Sequence, residues 1–516
     1  MNFIATKVRF ALTYQGVFLM GATLATNAAK NTDSAAADTE NPAENSAEQI
    51  GYTHAVFQKQ QQAFRAQPMP TADKRRDNLN RLKQALLSWQ DLLIAAIDKD
   101  FGCRSKDETL IAEIMPSVQG INYTLKHLDS WMKPSKRHVS MLFRPASNQV
   151  HYQPKGVVGV IVPWNYPLYL AIGPLVASLA AGNRTMVKMS EFTPHTSALM
   201  KELVEATFDE EQVAVILGDA KVAADFSERP FNHLLFTGST SVGRLVMQAA
   251  AKNLTPVTLE LGGKSPAIVA TDVPLKDAAQ RIAFGKAFNA GQTCVAPDYV
   301  LCPADRVAAF VEEYRKQFSA MYPSLRDNTD YTAIINQRQY QRLQGYLDDA
   351  RSKGAELVEI NPANEILDAA SHKLPLTLLL NTTADMRVMQ DEIFGPILPV
   401  VAYETLDDAL LFINNRPRPL ALYYFGYNQE EQQKVVANTH SGGMCINDAL
   451  MHVAQDDLPF GGIGDSGMGH YHGKEGFLTF SHQRGIFAKQ QFNSGKVVYP
   501  PHGGVAHKLI YKLFIR

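Results

Sequence analysis

Cys294 is set in the stretch Phe288-Asn289-Ala290-Gly291-Gln292-Thr293-Cys294-Val295, directly after an apolar, helix-like run. A structural cysteine is ordinarily one small hydrophobe among others. Here Gly291, Gln292 and Thr293 make a polar, backbone-exposing approach, which is the setting of a thiol nucleophile. Thirty-four positions upstream, Glu260 stands in Thr258-Leu259-Glu260-Leu261-Gly262-Gly263-Lys264-Ser265-Pro266. Apolar surroundings raise the pKa of a carboxyl group toward the range where it works as a base. A thiolate that attacks a carbonyl carbon and a lone carboxylate that later draws a proton from water are the two parts of a two-step acyl reaction. The other cysteines read differently. Cys302 lies in a strand-like apolar run, Cys445 lies between Met444 and Ile446, and Cys103 follows Phe101-Gly102 in a loop with no partner in sequence.

These residues need a scaffold, and the chain supplies alternating strand, loop and helix signals. Val157-Val158-Gly159-Val160-Ile161-Val162 is short, apolar and β-branched, as a buried parallel strand is. It runs into Pro163-Trp164-Asn165-Tyr166-Pro167, a helix over 168–181 and a second strand over 185–189. A strand over 233–236 leads through the glycine turn 237–243 into a helix over 244–252. This is the pattern of a doubly wound sheet. Beyond Gly263 the alternation restarts, with strands over 266–270, 299–302 and 376–380 and helices over 275–290, 307–321, 339–353 and 406–414. Helices are also expected over 76–101 and 107–131, an extended segment over 140–153, and a late edge strand at 496–499. The region before Val157 reads as scaffold, and the glycine-rich stretch 458–469 is too rich in glycine for a regular helix.

With 516 residues the chain is long enough for two or three domains. A formal net charge of −1 gives no global field for nucleic acid or an anionic membrane. Four cysteines suit a reducing compartment, and no Cys/His cluster has zinc-ligand spacing, so no metal is expected. Residues 1–50 differ from the rest: Lys7 and Arg9 precede an interrupted apolar run, then a polar, alanine-rich piece follows. This is either a signal-like leader or an unstructured extension. The unstructured reading is preferred, because Thr13, Gln15, Gly16 and Thr23 interrupt the apolar run, and a cytoplasmic location is expected.

The cysteine and glutamate stretches resemble the signatures of the aldehyde dehydrogenase superfamily, and the resemblance covers roughly residues 51–501. It implies a Rossmann-like cofactor domain, an α/β catalytic domain and a small β oligomerisation arm. The expected boundaries are 51–261 for the cofactor domain, 262–446 for the catalytic domain, and 447–516 for a return to the cofactor domain with a strand and a tail. The arm is expected to join 140–153 to a strand near Val497, giving a homodimer. By resemblance, Cys294 is the nucleophile, Glu260 the general base, and Asn165 a donor to the oxyanion together with the nucleophile's own backbone N–H. Lys188 and Glu191 are expected to hold the adenosine ribose, although Met189 stands where the family usually has proline. Gly238, Ser239 and Gly243 open the helix expected at the pyrophosphate, a G-x-x-x-x-G that is a weak fingerprint by itself. Glu392 is expected at the nicotinamide ribose and Phe394 beside the nicotinamide. The implied cofactor is NAD, with NADP possible. Asn447-Asp448, His452, the 458–469 stretch with His470-Tyr471-His472-Gly473-Lys474, and Tyr499-Pro500-Pro501 resemble the class 3 branch. Within it they are most similar to bacterial coniferyl aldehyde dehydrogenases. The implied reaction is oxidation of an aromatic aldehyde to its acid through a cysteine thiohemiacetal and thioester. A medium- or long-chain fatty aldehyde is the alternative substrate, and a catalytically silent binding relative is the alternative class.

Overall fold

The structure is a computed structural model that describes residues 42–515, with side chains from Ser46 onward. Its frame is two parallel-rich sheets. The first has six strands in the order Gly467–Met468, Val257–Glu260, His233–Thr237, Val157–Ile161, Arg184–Lys188, Val213–Ile216. All its pairings are parallel except that of Gly467–Met468. Val157–Ile161, the first of these strands in sequence, is flanked by Arg184–Lys188 on one side and by His233–Thr237 on the other. The winding therefore reverses between Val157–Ile161 and His233–Thr237, and ligands of doubly wound sheets bind outside the carboxyl ends of strands at such a reversal. Ile161, Lys188, Thr237 and Glu260 all end their strands there. Val157–Ile161, His233–Thr237 and Val213–Ile216 are buried at every position, which is why they read as continuous apolar runs rather than alternating ones.

The second sheet has seven strands in the order Glu356–Ile360, Leu376–Leu380, Ile397–Tyr403, Tyr299–Pro303, Pro266–Val269, Ala421–Phe425, Gly443–Ile446. Only its edge strand Glu356–Ile360 is antiparallel. Residues 261–265 alone connect Glu260, at a carboxyl end of the first sheet, to Pro266, at the amino end of a central strand of the second. Cys294 also reaches the amino end of the second sheet, since its loop enters Tyr299–Pro303 beside Pro266–Val269. The connection thus places the base and the nucleophile in the crevice between one sheet's carboxyl edge and the other's amino edge.

A third, three-stranded antiparallel sheet joins Ser135–Arg137, Ala146–Pro154 and Ser481–Lys489. Here two expectations are corrected. The strand that pairs with residues 146–154 is Ser481–Lys489, and the segment expected as a late strand near Val497 is the short helix Ser494–Val498. The helical turn Met141–Phe143 interrupts the expected extended segment 140–153. At the other end, residues 42–50, expected to belong to the leader, open the helix Pro42–Ala66. The rest of the leader, residues 1–41, lies outside the described residues. The helix expected over 76–101 is two, Ala72–Ser88 and Gln90–Phe101, parted at Trp89. Among the described residues no helix is long and apolar enough to cross a membrane.

Candidate active site

The helix Leu275–Ala287 ends where Asn289, Ala290 and Gly291 all take positive φ, at 52°, 50° and 73°. A Cβ on Gly291 would lie 2.5 Å from the carbonyl oxygen of Gly395, so only glycine allows this close pass. The distorted loop is held by polar ties. Gln292 Nε2 donates to the carbonyls of Asn289 (3.1 Å) and Ala333 (3.0 Å), and its Oε1 accepts from Ile335 N–H at 3.0 Å. Tyr166 Oη pairs with Thr293 Oγ1 at 2.7 Å, and Tyr423 Oη donates to the carbonyl of Val295 at 2.5 Å. Strained backbone that its surroundings over-determine is characteristic of a functional turn. Cys294 is partly exposed in a site otherwise closed, and burial, with Glu392 and Glu260 adding repulsion, pushes its thiol up to about 12.

Asn165 follows the carboxyl end of Val157–Ile161 and is buried. Its Nδ2 donates to the carbonyl of Gln292 at 3.1 Å, so its amide lies at the backbone immediately before Thr293 and Cys294. Glu260 ends its strand with both carboxylate oxygens buried and free of hydrogen-bond partners, and burial raises its pKa well above the ordinary value. Glu392 lies close by: a Cβ on Gly262 would meet both its carboxylate oxygens at 2.2 Å. Burial, then Asp298, lifts Glu392 to about 8, and its Oε1 has no partner. Phe394, at φ 52°, meets Trp164 edge-on with ring centroids 5.3 Å apart.

The remaining cofactor candidates lie along the carboxyl edge of the first sheet. Lys188 is buried, and its Nζ donates to the carbonyls of Met189 and Gly218, both at 2.6 Å, leaving one N–H for a ligand. Burial lowers its pKa, against Glu191 and Asp219, which raise it. Glu191 is exposed at the mouth of the same turn. Gly238 follows the strand His233–Thr237, and Ser239 caps the helix Thr240–Ala251, its Oγ accepting from Val242 N–H at 3.4 Å. Gly243 is buried inside that helix, where a Cβ would stand 2.6 Å from Leu261 Cδ2, so it sets the approach of helix to strand. Free N–H groups at a helix start beside an exposed carboxylate and a buried lysine fit a dinucleotide: phosphate to the helix, hydroxyls to Glu191 and Lys188.

Three ionisable residues of the site escaped sequence reading. Arg104 is fully buried, with Nη1 donating to the carbonyl of Asn165 (3.0 Å) and pairing with Glu113 Oε1 (3.0 Å). Its Nε stands 3.5 Å from Glu108 Oε1. The only signal was charge, in the polar stretch Arg104-Ser105-Lys106-Asp107-Glu108 and at Glu113, and such charges are ordinarily solvated. Aromatic and imidazole groups also gather here. Phe460 stacks on His472 at 4.9 Å, and Tyr169 Oη reaches His472 Nε2 at 3.4 Å. Burial raises the pKa of the Tyr471 hydroxyl, and Tyr169, Glu260 and Cys294 lie near enough to add to it. His472 Nδ1 and His452 Nε2 are buried without partners. Cys445, expected in the core, is buried with Sγ 3.1 Å from His452 Nδ1.

A partly exposed thiol, a buried carboxyl, a side-chain amide and a helix start at a sheet's carboxyl edge are the groups a covalent, nicotinamide-dependent oxidoreductase calls for. The profile of the aldehyde dehydrogenase family matches residues 31–486, and the chain belongs to that family. It is 61% identical to a "probable coniferyl aldehyde dehydrogenase" of Pseudomonas aeruginosa, over 91% of this chain and 98% of that one. It is 46% identical to the coniferyl aldehyde dehydrogenase of Pseudomonas sp. strain HR199 (90% and 96%) and 37% identical to a dimeric NADP-preferring aldehyde dehydrogenase of Rattus norvegicus (86% and 97%). Among solved structures it superposes on substrate-bound Staphylococcus aureus AldH with a TM-score of 0.85 at 37% identity, covering 90% of this chain and 99% of that one. On a Mycobacterium tuberculosis aldehyde dehydrogenase complexed with NAD+ the TM-score is 0.77 at 28% identity (86% and 91%).

Proposed function

We propose that this chain oxidises an aromatic aldehyde, coniferaldehyde foremost, to the carboxylic acid, using NAD and accepting NADP. The observation that carries the chemistry is the meeting of Cys294, Glu260 and the Asn165 amide in one closed crevice. The Cys294 thiol rests protonated, because burial and the nearby carboxylates disfavour its anion. Attack therefore requires the Sγ proton to leave to solvent as the thiolate forms. Sulfur then bonds to the aldehyde carbon, and the resulting oxyanion is met by Asn165 Nδ2 and a backbone N–H of the turn. Preorganised donors at that oxygen act where the charge develops. Bound NAD(P) supplies the hydride acceptor, leaving the acyl group on Cys294 as a thioester. Ionised Glu260 takes a proton from water as its oxygen attacks the thioester carbon, and that proton passes to the departing Cys294 sulfur as the acid leaves. Lys188, Glu191, Gly238 and Ser239 hold the dinucleotide's adenosine and pyrophosphate end, while Glu392 and Phe394 lie at the reactive end.

Two observations support an aromatic substrate. The relatives named for coniferyl aldehyde match nearly the whole of this chain. Aromatic groups also gather near the crevice: Phe460 stacks on His472, and Tyr471 lies near Cys294 and Glu260, faces against which an aromatic ring packs. Further parts of the reading are a homodimer joined through the sheet of Ala146–Pro154 and Ser481–Lys489, domain boundaries at 261 and 446, and work in the cytoplasm. The test is a panel of coniferaldehyde, benzaldehyde, hexanal and decanal, each with NAD and with NADP. The expected result is the highest kcat/KM for coniferaldehyde with NAD; a lead for decanal assigns the enzyme to fatty aldehydes instead.

A further inference from the structure

Between the helices before the first sheet and the catalytic crevice lies a buried cluster that the proposed cycle does not use. Arg104 has no exposed side-chain surface, and its guanidinium lies between two aromatic rings, 4.9 Å from the centroid of Phe101 and 4.8 Å from that of Tyr166. Nη1 bridges Glu113 Oε1 and the carbonyl of Asn165. Glu113 Oε2 accepts from the backbone N–H of Leu168 (2.7 Å) and Tyr169 (3.1 Å). Glu108 takes the Thr332 hydroxyl at 3.4 Å and the backbone N–H of Asn289, and burial holds its carboxyl up at about 7. Asn289 Nδ2 in turn donates to the same Asn165 carbonyl at 3.0 Å. One guanidinium thus ties together three segments distant in sequence: 104–113, the turn 165–169, and the cysteine loop from Asn289.

Charges taken wholly out of water are costly, and nothing about the scaffold requires an arginine inside it. Here Nη1 of its planar, permanently charged group meets the Glu113 carboxylate and the Asn165 carbonyl together, while Nε and Nη2 make no hydrogen bond. The Asn165 carbonyl accepts from Arg104 and Asn289, while its side-chain Nδ2 faces the Gln292 carbonyl. We propose that Arg104, braced by Glu113 and Glu108, is a positioning residue that fixes the Asn165 peptide and so aims its amide at the oxyanion. The inference rests on the reading of Asn165 as the oxyanion donor, and it makes Arg104 act on rate through Asn165 rather than on substrate.

A double-mutant cycle separates the two claims. Asn165→Ala, Arg104→Ala and the double variant are compared with the parent for kcat, KM and NADH binding by fluorescence. Asn165→Ala is expected to lower kcat about 100-fold. Arg104→Ala is expected to lower kcat nearly as far, with KM and NADH affinity within about threefold, and the double variant to be no slower than Asn165→Ala within about twofold. Added guanidinium ion restores part of the Arg104→Ala rate, whereas equal concentrations of sodium chloride or urea do not. If Arg104→Ala does not fold, Arg104→Lys takes its place in the cycle, with a kcat loss of about tenfold and the same non-additivity. Multiplicative losses in the double variant, or full activity in either Arg104 variant, overturn the positioning role while leaving Asn165 standing. Undiminished kcat in Asn165→Ala overturns the oxyanion reading itself.

Discussion

Gln292, two residues before Cys294, has both ends of its side-chain amide bonded, and Thr293 is held by Tyr166, whereas the carboxylate of Glu260 has no hydrogen-bond partner at either oxygen. Both lie in the same crevice and both are buried. The difference follows from the roles proposed for the two. A nucleophile works by direction, so its loop is tied at several points and accepts left-handed backbone at Asn289 and Ala290 to keep its aim. A base that must ionise and then take a proton needs a pKa raised into range, and a hydrogen bond to its charged form would lower it again. The loop's order is therefore bought with backbone strain, and the base's reactivity with an unsatisfied, buried carboxyl group.

Variants that strip one side of this contrast have graded effects. Cys294→Ala is expected to cut aldehyde oxidation at least about 10⁴-fold while NADH still binds; near-normal turnover would remove the nucleophile from the account. Gly291→Ala attacks the loop's order and leaves the chemistry intact. With φ at 73° and Gly395 O 2.5 Å from the new Cβ, kcat should fall about 10- to 100-fold as the turn shifts, roughly the 1–3 kcal/mol of such strain. An unchanged kcat would mean the loop tolerates relocation. The smallest effect concerns stability. Burial raises the folded-state pKa of Glu260, so the stability it contributes is full below the ordinary carboxyl value and is lost as pH rises toward the folded value. Glu260→Gln, neutral throughout, should match the parent's Tm near pH 4 and exceed it by about 1–3 °C at pH 8. An equal Tm at both pH values would show that the carboxyl is not desolvated as described.

Much of this site was legible because chemistry clusters in short peptides. Cys294, Glu260 and Asn165 each sit in a local string whose small, apolar or turn-forming neighbours point to the role proposed for it, and the crevice brings the three together. The central strands were legible because burial on both faces makes them continuous apolar runs. Arg104, Glu108 and Glu113 were not, because a buried ion cluster is recognisable only through partners at Asn165, Leu168 and Asn289, which fold back from distant positions. The partner of Ala146–Pro154 was misplaced for a related reason. Ser481–Lys489 is mostly exposed, carrying Gln483, Arg484 and Lys489 with little apolar alternation, whereas Lys496-Val497-Val498-Tyr499 has the β-branched residues of a strand but folds as a helical turn. The glycine string 237–243 also mixed two tasks: Gly238 and Ser239 stand at the carboxyl edge of the first sheet, while Gly243 serves helix packing against Leu261.

The central claim is that acylation and deacylation use different residues of one crevice, Cys294 for the first and Glu260 for the second. Glu260→Gln should be mixed with coniferaldehyde and NAD, quenched in acid after seconds, and its peptides analysed by mass spectrometry, with NADH formation followed in parallel. The account predicts a burst approaching one NADH per site, then turnover slowed about 10²–10⁴-fold, with the peptide of Cys294 carrying the acyl group. Steady turnover without an adduct, or an adduct on Cys103, Cys302 or Cys445 in place of Cys294, would contradict it.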